Sequence, residues 1–289
     1  MDNFIAARSQ MGMSLAFHII YATIGVSLPL MMTIAEWRWR STGDPAYLIL
    51  ARRWAQGTTI LFTVGAVSGA VLSFELGLQQ KITGDRDELA RQSASLSGTP
   101  VHPLRLVTEL QGILTPDTTL CLDMGSFHLW MARHLYSFRA RQILISNGQQ
   151  TLGVALPWAI AATLVRPAEK VLSISGDGGF LFSGMEIETA VRLQSNLVHM
   201  IWLDGTYDMV AVQEEQKYGR PSGTKFGPVD PIKYAEAFGA QGCMIQSPDQ
   251  ITSVLKQAFD TSGPVLVGVH GDYRDNHKLF QEVSDQSVH

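Results

Sequence analysis

Ser175-Gly176-Asp177-Gly178-Gly179-Phe180 follows the apolar run Val171-Leu172-Ser173-Ile174 and opens a helical pattern. The stretch reads as the turn between a buried strand and the helix after it. A second apolar run, Leu197-Val198-His199-Met200-Ile201-Trp202-Leu203, delivers Asp204, 27 residues beyond Asp177. Two carboxylates at the carboxyl ends of two strands are placed to hold one divalent cation. Glycines in the turn let backbone N–H groups approach a phosphate. The pairing predicts a metal-bridged diphosphate site.

The same alternation runs through the rest of this half of the chain. Spacing predicts a helix over 104–114, a strand over 118–122, a helix over 127–136 and a strand over 142–145. A helix over 152–165, interrupted at Pro157, precedes the strand over 171–174. Asp230-Pro231 sets an N-cap before a first-turn proline, and Ser247-Pro248-Asp249-Gln250 has the capping-box pattern. Val265 to Val269 reads as a last strand. Strands alternating with helices imply an α/β fold, a doubly wound parallel sheet with flanking helices. Ligands of such sheets bind outside the strand carboxyl ends. There the turns Asp123-Met124-Gly125-Ser126 and Ser146-Asn147-Gly148-Gln149-Gln150 join the two aspartate turns. The domain has neither G-x-G-x-x-G after its first strand nor a Walker A loop, which excludes both of those nucleotide signatures.

A net charge of −4 leaves no basic footprint for nucleic acid. Cys121 and Cys243 lie in apolar, strand-like segments and read as buried free thiols of a reducing compartment.

The first quarter has a different solvent. Met11 to Ala35 and Gly57 to Phe74 contain no Asp, Glu, Lys or Arg, and each reaches the roughly 18–20 residues that cross a bilayer. They predict a two-helix transmembrane hairpin, with spans over 11–35 and 56–77, in contact with membrane lipid through residues 11–77. The first run is too long, and its basic flank too poor, for a cleaved signal peptide. Arg38, Arg40, Arg52 and Arg53 lie between the spans, against Arg8 alone ahead of them. The positive-inside rule puts that loop in the cytoplasm and sends both the N-terminus and the following domain to the outer face. Trp37, Trp39 and Trp54 suit interfacial anchors. Residues 79–101 read as a polar linker with a helical portion over 87–94, leaving 102–289 as the α/β domain.

Residues 1–78 resemble the start of subunit I of the cytochrome bd quinol oxidases. The likeness rests on Ser14-Leu15-Ala16-Phe17-His18-Ile19-Ile20, Ala35-Glu36-Trp37-Arg38-Trp39, Gly65-Ala66-Val67-Ser68-Gly69 and Phe74-Glu75-Leu76-Gly77. It implies that His18 stands where that family has an axial ligand of its high-spin haem b. An imidazole within a bilayer is a functional candidate by default. The family's other haem ligands, its quinol loop and its remaining helices fall in segments this chain does not contain, which argues against haem b here.

Residues 102–289 resemble the thiamine-diphosphate-binding domain of the catabolic acetolactate synthases. The matching residues are Asp123 to His128, Ile145 to Trp158, Ser175 to Phe182, Met185-Glu186, Glu188 to Leu193 and Asp272-Tyr273-Arg274-Asp275-Asn276. The resemblance implies thiamine diphosphate and Mg²⁺ as cofactors, and condensation of two pyruvates to 2-acetolactate with release of CO2. It implies that Asp177, Asp204 and the carbonyl of Thr206 hold the metal. Met124, Gly125, Ser126, Gly176 and Tyr207 belong to the implied cofactor site, with Gly178 and Gly179 giving N–H groups to the diphosphate and Leu152 beneath the thiazolium ring. Gln150 falls among the implied catalytic residues. Asp at 204, where the wider superfamily usually has Asn, is the catabolic branch's residue. Gln213 stands where biosynthetic relatives place Trp, which implies pyruvate as acceptor; the competing reading is a solvated position on a helix over 207–218.

In that family a glutamate on a separate N-terminal domain, usually of the neighbouring subunit, activates the cofactor. Nothing in residues 1–101 resembles that domain, so the expectation is half a cofactor site that needs a second chain or domain. The break near residue 78 makes the chain read as a fusion of two partial families. The alternatives are an oxidase membrane fragment with an electron-transfer role and a non-functional chimera.

Overall fold

A computed structural model of the chain describes residues 27–146 and 150–280, together with Ala16 and Ile24, the side chains of 61–80 and 82 excepted. The chain forms two compact units, Met1–Asp87 and Glu88–His289.

In the first unit, residues 27–42 form a helix, α1, followed by α2 (Pro45–Ala94), whose residues from Glu88 on are counted in the second unit. Two residues, Gly43 and Asp44, make the turn between them. Gly43 takes a left-handed φ of 71° and its N–H donates to the Trp39 carbonyl at 2.8 Å, closing α1. Asp44 accepts from the Ala46 N–H at 2.9 Å and so caps α2, with Pro45 at its first position. Ala35 and Ala51 are both buried. The Thr58 hydroxyl lies 3.6 Å from Met32 Sδ, so the two helices meet along their near halves. The four arginines expected in a loop between spans thus lie on helices, flanking this short turn. α2 also continues through residues 79–94, read above as linker with a helical portion over 87–94. Among the described residues no helix is long and apolar enough to cross a membrane. The two charge-free runs lie largely outside the described side chains, and His18 lies outside the described residues altogether.

The second unit is a six-stranded parallel sheet. In chain order its elements are α3 (Pro103–Ile113), β1 (Thr118–Leu122), α4 (Ser126–His134), β2 (Ile143–Ile145), α5 (Ala155–Val165) and β3 (Lys170–Gly176). Then come α6 (Asp177–Ser183), α7 (Ile187–Arg192), β4 (Leu197–Leu203), α8 (Asp208–Tyr218) and α9 (Pro231–Ala237). β5 (Gln241–Ile245), α10 (Ile251–Asp260) and β6 (Val265–His270) complete it. The spatial order is β2-β1-β3-β4-β6-β5. The winding reverses between β1 and β3, so a crevice opens at their carboxyl ends.

The strands read as continuous apolar runs because both faces are covered. Along β4 the side chains alternate. Val198, Met200 and Trp202 pack with Leu106 and Leu110 of α3, Phe127 and Met131 of α4 and Leu255 of α10. Leu197, Ile201 and Leu203 pack on the other face with Ala155, Leu156 and Ala159 of α5 and Ala235 of α9. Pro157 does not interrupt α5: the helix begins at Ala155, which puts the proline in the first turn, where its missing N–H costs nothing. Asp230 caps α9 as expected, accepting from Ile232 and Lys233 N–H. Ser247 does not cap. Residues 248–250 form a single 3-10 turn, and the Gln250 side chain reaches back to the Gln246 N–H instead. Both cysteines are free; Cys121 is buried, but Cys243, on edge strand β5, is only half-buried.

His199 sits at the centre of β4, fully buried, with Nδ1 2.7 Å from the Ser173 hydroxyl and Nε2 3.0 Å from that of Ser175. Burial pushes its pKa down to about 3. The unfolded chain binds a proton on this imidazole below about 6.5 that the folded chain refuses. Folding stability therefore falls as pH drops from about 6.5 towards 3, by up to about 1.4 kcal/mol per pH unit from this group alone. We expect denaturant unfolding of His199→Gln between pH 7 and 4 to show a flatter acid limb than that of the parent; parallel limbs would show that the imidazole does not carry the dependence.

Candidate functional site

β3 and β4 run in parallel register, with Gly176 opposite Trp202, so both strands end at the same level. Asp177, the next residue after β3, is buried and begins α6. Its Oδ2 accepts from the Asp204 and Gly205 N–H groups, at 3.0 and 2.7 Å, and its Oδ1 accepts from the Gly178 N–H at 2.9 Å. The carboxylate thus ties one strand end to the other. It also occupies the Gly178 N–H, which the sequence reading assigned to a diphosphate. The carboxylate folds back over the start of its own helix, so the nearest backbone donor is already engaged.

The segment after β4 is held from the other side. Lys225 forms an antiparallel bridge with Thr206. The Tyr207 N–H donates to the Thr224 carbonyl at 2.8 Å, and Phe226 N–H to that of Gly205 at 3.1 Å. The Thr206 hydroxyl donates to Asp204 Oδ2. The Tyr207 ring lies so close to Gly178 that a Cβ there would come within 2.6 Å of it. Glycine at 178 is demanded by this approach.

β1 brings the third turn. Asp123 is buried and accepts from the Met124 N–H at 2.9 Å and from the Gly153 N–H at 2.8 and 3.0 Å. Burial pushes its carboxyl up to about 6, against these backbone hydrogen bonds. Asp123 therefore anchors the loop that carries Gln150 and Leu152. Asn147, Gly148 and Gln149 of that loop lie outside the described residues.

These turns enclose an open cleft of about 180 Å³. Met124, Gly125, Ser126, Gln150, Leu152, Gly176, Asp177, Gly178, Gly179, Asp204, Thr206 and Tyr207 all line it, so the structure gathers these sequence-predicted residues around one space. Gln213 is not among the lining residues; it is exposed on α8. The sequence reading missed Phe127, Asp208, Met209, Val210 and Tyr273, which also line the cleft. Tyr273 was within reach of that reading, because the stretch Asp272 to Asn276 carries part of the resemblance. Asp208 had no such signal: it is the first residue of α8, and only the packing turns it inward.

Among the described residues no Lys, Arg or His lines the cleft, while Asp177, Asp204 and Asp208 do. Burial pushes the Asp204 carboxyl up to about 8; the Thr206 hydrogen bond opposes this, and the neighbouring charges of Asp177 and Asp208 add to it. Burial, and then the same three carboxylates, raise Tyr273 well above the usual phenol range. Three carboxyl groups thus crowd one space, and Asp204 keeps its proton up to about pH 8. Among the described residues no three His, Cys, Asp or Glu side chains group as a metal site, so a cation held by the two aspartates would take its remaining oxygens from Thr206, a ligand or water.

Residues 123–269 match the family of the thiamine pyrophosphate enzymes, at the C-terminal TPP-binding domain. Residues 6–80 match cytochrome bd terminal oxidase subunit I. The catabolic acetolactate synthase of Raoultella terrigena is 57% identical over 198 residues, covering 68% of this chain and 35% of that protein. An acetolactate synthase of Bacillus subtilis is 49% identical over 208 residues, covering 71% and 36%. The chain thus spans about a third of the length of these relatives. A solved structure from Mycobacterium smegmatis, of an enzyme described as thiamin diphosphate-dependent, superposes with a TM-score of 0.52. It is 21% identical, covers 61% of this chain and 32% of that one, and shows the likeness of fold.

Gly153 offers a direct test of how the Leu152 loop is held. Its φ is 80°, and a Cβ there would meet Phe182 Cβ at 2.7 Å. We expect Gly153→Ala to cost about 1–3 kcal/mol in denaturant unfolding; an unchanged midpoint would mean the loop is not fixed at that point.

Proposed function

The chain belongs to the thiamine pyrophosphate enzymes, carrying their C-terminal cofactor-binding domain at residues 123–269, and we propose that its cleft holds thiamine diphosphate through a bridging Mg²⁺. The observation that carries this reading is the charge of the cleft. Three aspartates converge with no basic side chain among the described lining residues, and the Asp204 carboxyl is held up near 8. A hard divalent cation bound by oxygen donors relieves that charge and presents a positive centre to a diphosphate. Asp177, Asp204 and Thr206 would hold the metal. Met124, Gly125, Ser126, Gly176, Gly178, Gly179 and Tyr207 would surround the cofactor, with Leu152 as apolar support beneath its reactive ring. When bound, thiamine diphosphate supplies the carbon nucleophile and electron sink that 2-keto acid decarboxylation needs.

The domain is homologous to the acetolactate synthases, and the reaction proposed for this site is condensation of two pyruvates to 2-acetolactate with loss of CO2. Gln150 lines the cleft and would contact the substrate there. Gln213 sits one helical turn beyond Met209, a lining residue, on the same face of α8. From there it would shape the approach of the acceptor. Among the described residues the lining contains no glutamate. The activating carboxylate would come from a further domain or a second chain, and residues 102–289 would be the cofactor-binding domain joined through 79–101 to an N-terminal piece. For residues 1–78 we propose membrane contact through 11–77, on the strength of two charge-free runs; nothing in the described residues supports a haem role.

Two measurements test the reading. Titration calorimetry of the purified chain should show thiamine diphosphate binding that requires Mg²⁺ and falls at least tenfold in Asp204→Ala. Binding that is indifferent to both the ion and the substitution would overturn the metal bridge. With a complementing glutamate-bearing fragment, acetolactate should form from pyruvate, and Gln213→Trp should shift the acceptor preference towards 2-ketobutyrate. Acetolactate formation by the chain alone would show that no second domain is needed.

A further inference from the structure

Asp208 and Asn276 carry a role beyond the ligand set just described. Asn276 follows β6, is 1% exposed and does not line the cleft. Its Oδ1 accepts from Trp130 Nε1 of α4 at 2.8 Å, and its Nδ2 donates to Asp208 Oδ2 at 2.6 Å. The same Asp208 oxygen accepts the hydroxyl of Ser126, from the turn after β1. One carboxylate oxygen thereby joins three parts of the unit: the start of α4, the first turn of α8 and the chain beyond β6. Both Ser126 and Asp208 face the cleft, as do Met209 and Val210 on the next positions of α8 and Tyr273 on the segment that carries Asn276.

We propose that Asn276 is a positioning residue for the diphosphate cofactor. By locking Asp208 against Ser126, it fixes the wall formed by the first turn of α8, and with it the spacing between the turns after β1 and β4. Trp130 holds Asn276 in turn. The Trp130 ring packs 5.4 Å from His102, whose Nε2 is 3.1 Å from Asp275 Oδ2, so the Asn276 amide is oriented from the side away from the cleft. A buried amide whose acceptor and donor atoms are both used has one orientation available. The charge on Asp208 makes its hydrogen bond stronger than a neutral one.

The proposal rests on the thiamine diphosphate reading, and the test separates the two. Affinity for thiamine diphosphate at saturating Mg²⁺ is measured by titration calorimetry on the full chain, alongside thermal unfolding without cofactor. The variants are Asn276→Asp, Asn276→Ala and the reciprocal pair Asn276→Asp with Asp208→Asn. Asn276→Asp keeps the acceptor for Trp130 and replaces the donor to Asp208 with a second carboxylate, so it opposes the contact directly and decides the matter even if Asn276→Ala does not fold. We expect about tenfold weaker binding in Asn276→Asp, the size of a lost hydrogen bond to a charged group. The reciprocal pair restores a donor and an acceptor with the charge reversed, and should regain most of that loss. Parent-like affinity in Asn276→Asp, or a pair as weak as the single variant, would overturn the positioning role while leaving the cofactor site standing. No binding by the parent chain would overturn both.

Discussion

Oδ2 of Asp177 accepts two backbone N–H groups from the segment that leaves the neighbouring strand. Hydrogen bonds to a charged acceptor contribute roughly 1.5–3 kcal/mol each, and these two cross between strands that no sheet bond joins at that level. They fix the Asp204 turn relative to the start of α6, and every other part of the cleft is placed against that pair. Tyr207 leans on Gly178, and the 224–226 segment closes over Thr206. Asp208 is turned towards Ser126. The cost is that three carboxylates share a half-buried space without a cation among the side chains around them.

That unbalanced charge gives the fold its chemical direction. A sheet wound in two directions offers a crevice wherever its order reverses, and the crevice between β1 and β3 would serve many ligands. Here three aspartates and four glycines line that crevice. Asp123 serves a different purpose from the other aspartates. Its hydrogen bonds run to the backbone of Met124, Gly153 and Val154, so it shapes the apolar support at Leu152 rather than lining the cleft.

The α/β alternation was legible because both faces of the sheet are buried. The strands therefore appear in the sequence as unbroken apolar runs, and His199 could sit inside one of them without breaking the pattern, since Ser173 and Ser175 satisfy its ring. Most of the cleft was legible too, because its residues directly follow strands. The failures have local causes. Ser247 and Gln250 matched a capping pattern, but a 3-10 turn changed which N–H the glutamine reached. Gly178 was given an outward N–H that its own neighbour captures. Residues 79–86 read as polar linker ahead of the helical portion over 87–94 because polarity interrupts the apolar run, yet helix needs backbone continuity rather than apolar side chains, and α2 runs through both.

The amino-acid sequence by itself determined the strand–helix alternation, the two aspartates at strand ends and the family likeness of both halves, since each is encoded within a few consecutive residues. Tertiary structure alone decided the strand order that brings β1 beside β3, the inward turn of Asp208 and the span from Trp130 through Asn276 to the cleft wall. Those contacts join positions 68 and 146 residues apart. Local periodicity carries no record of such distances; they come into being only when the sheet closes its core and the chain beyond β6 is packed against α4.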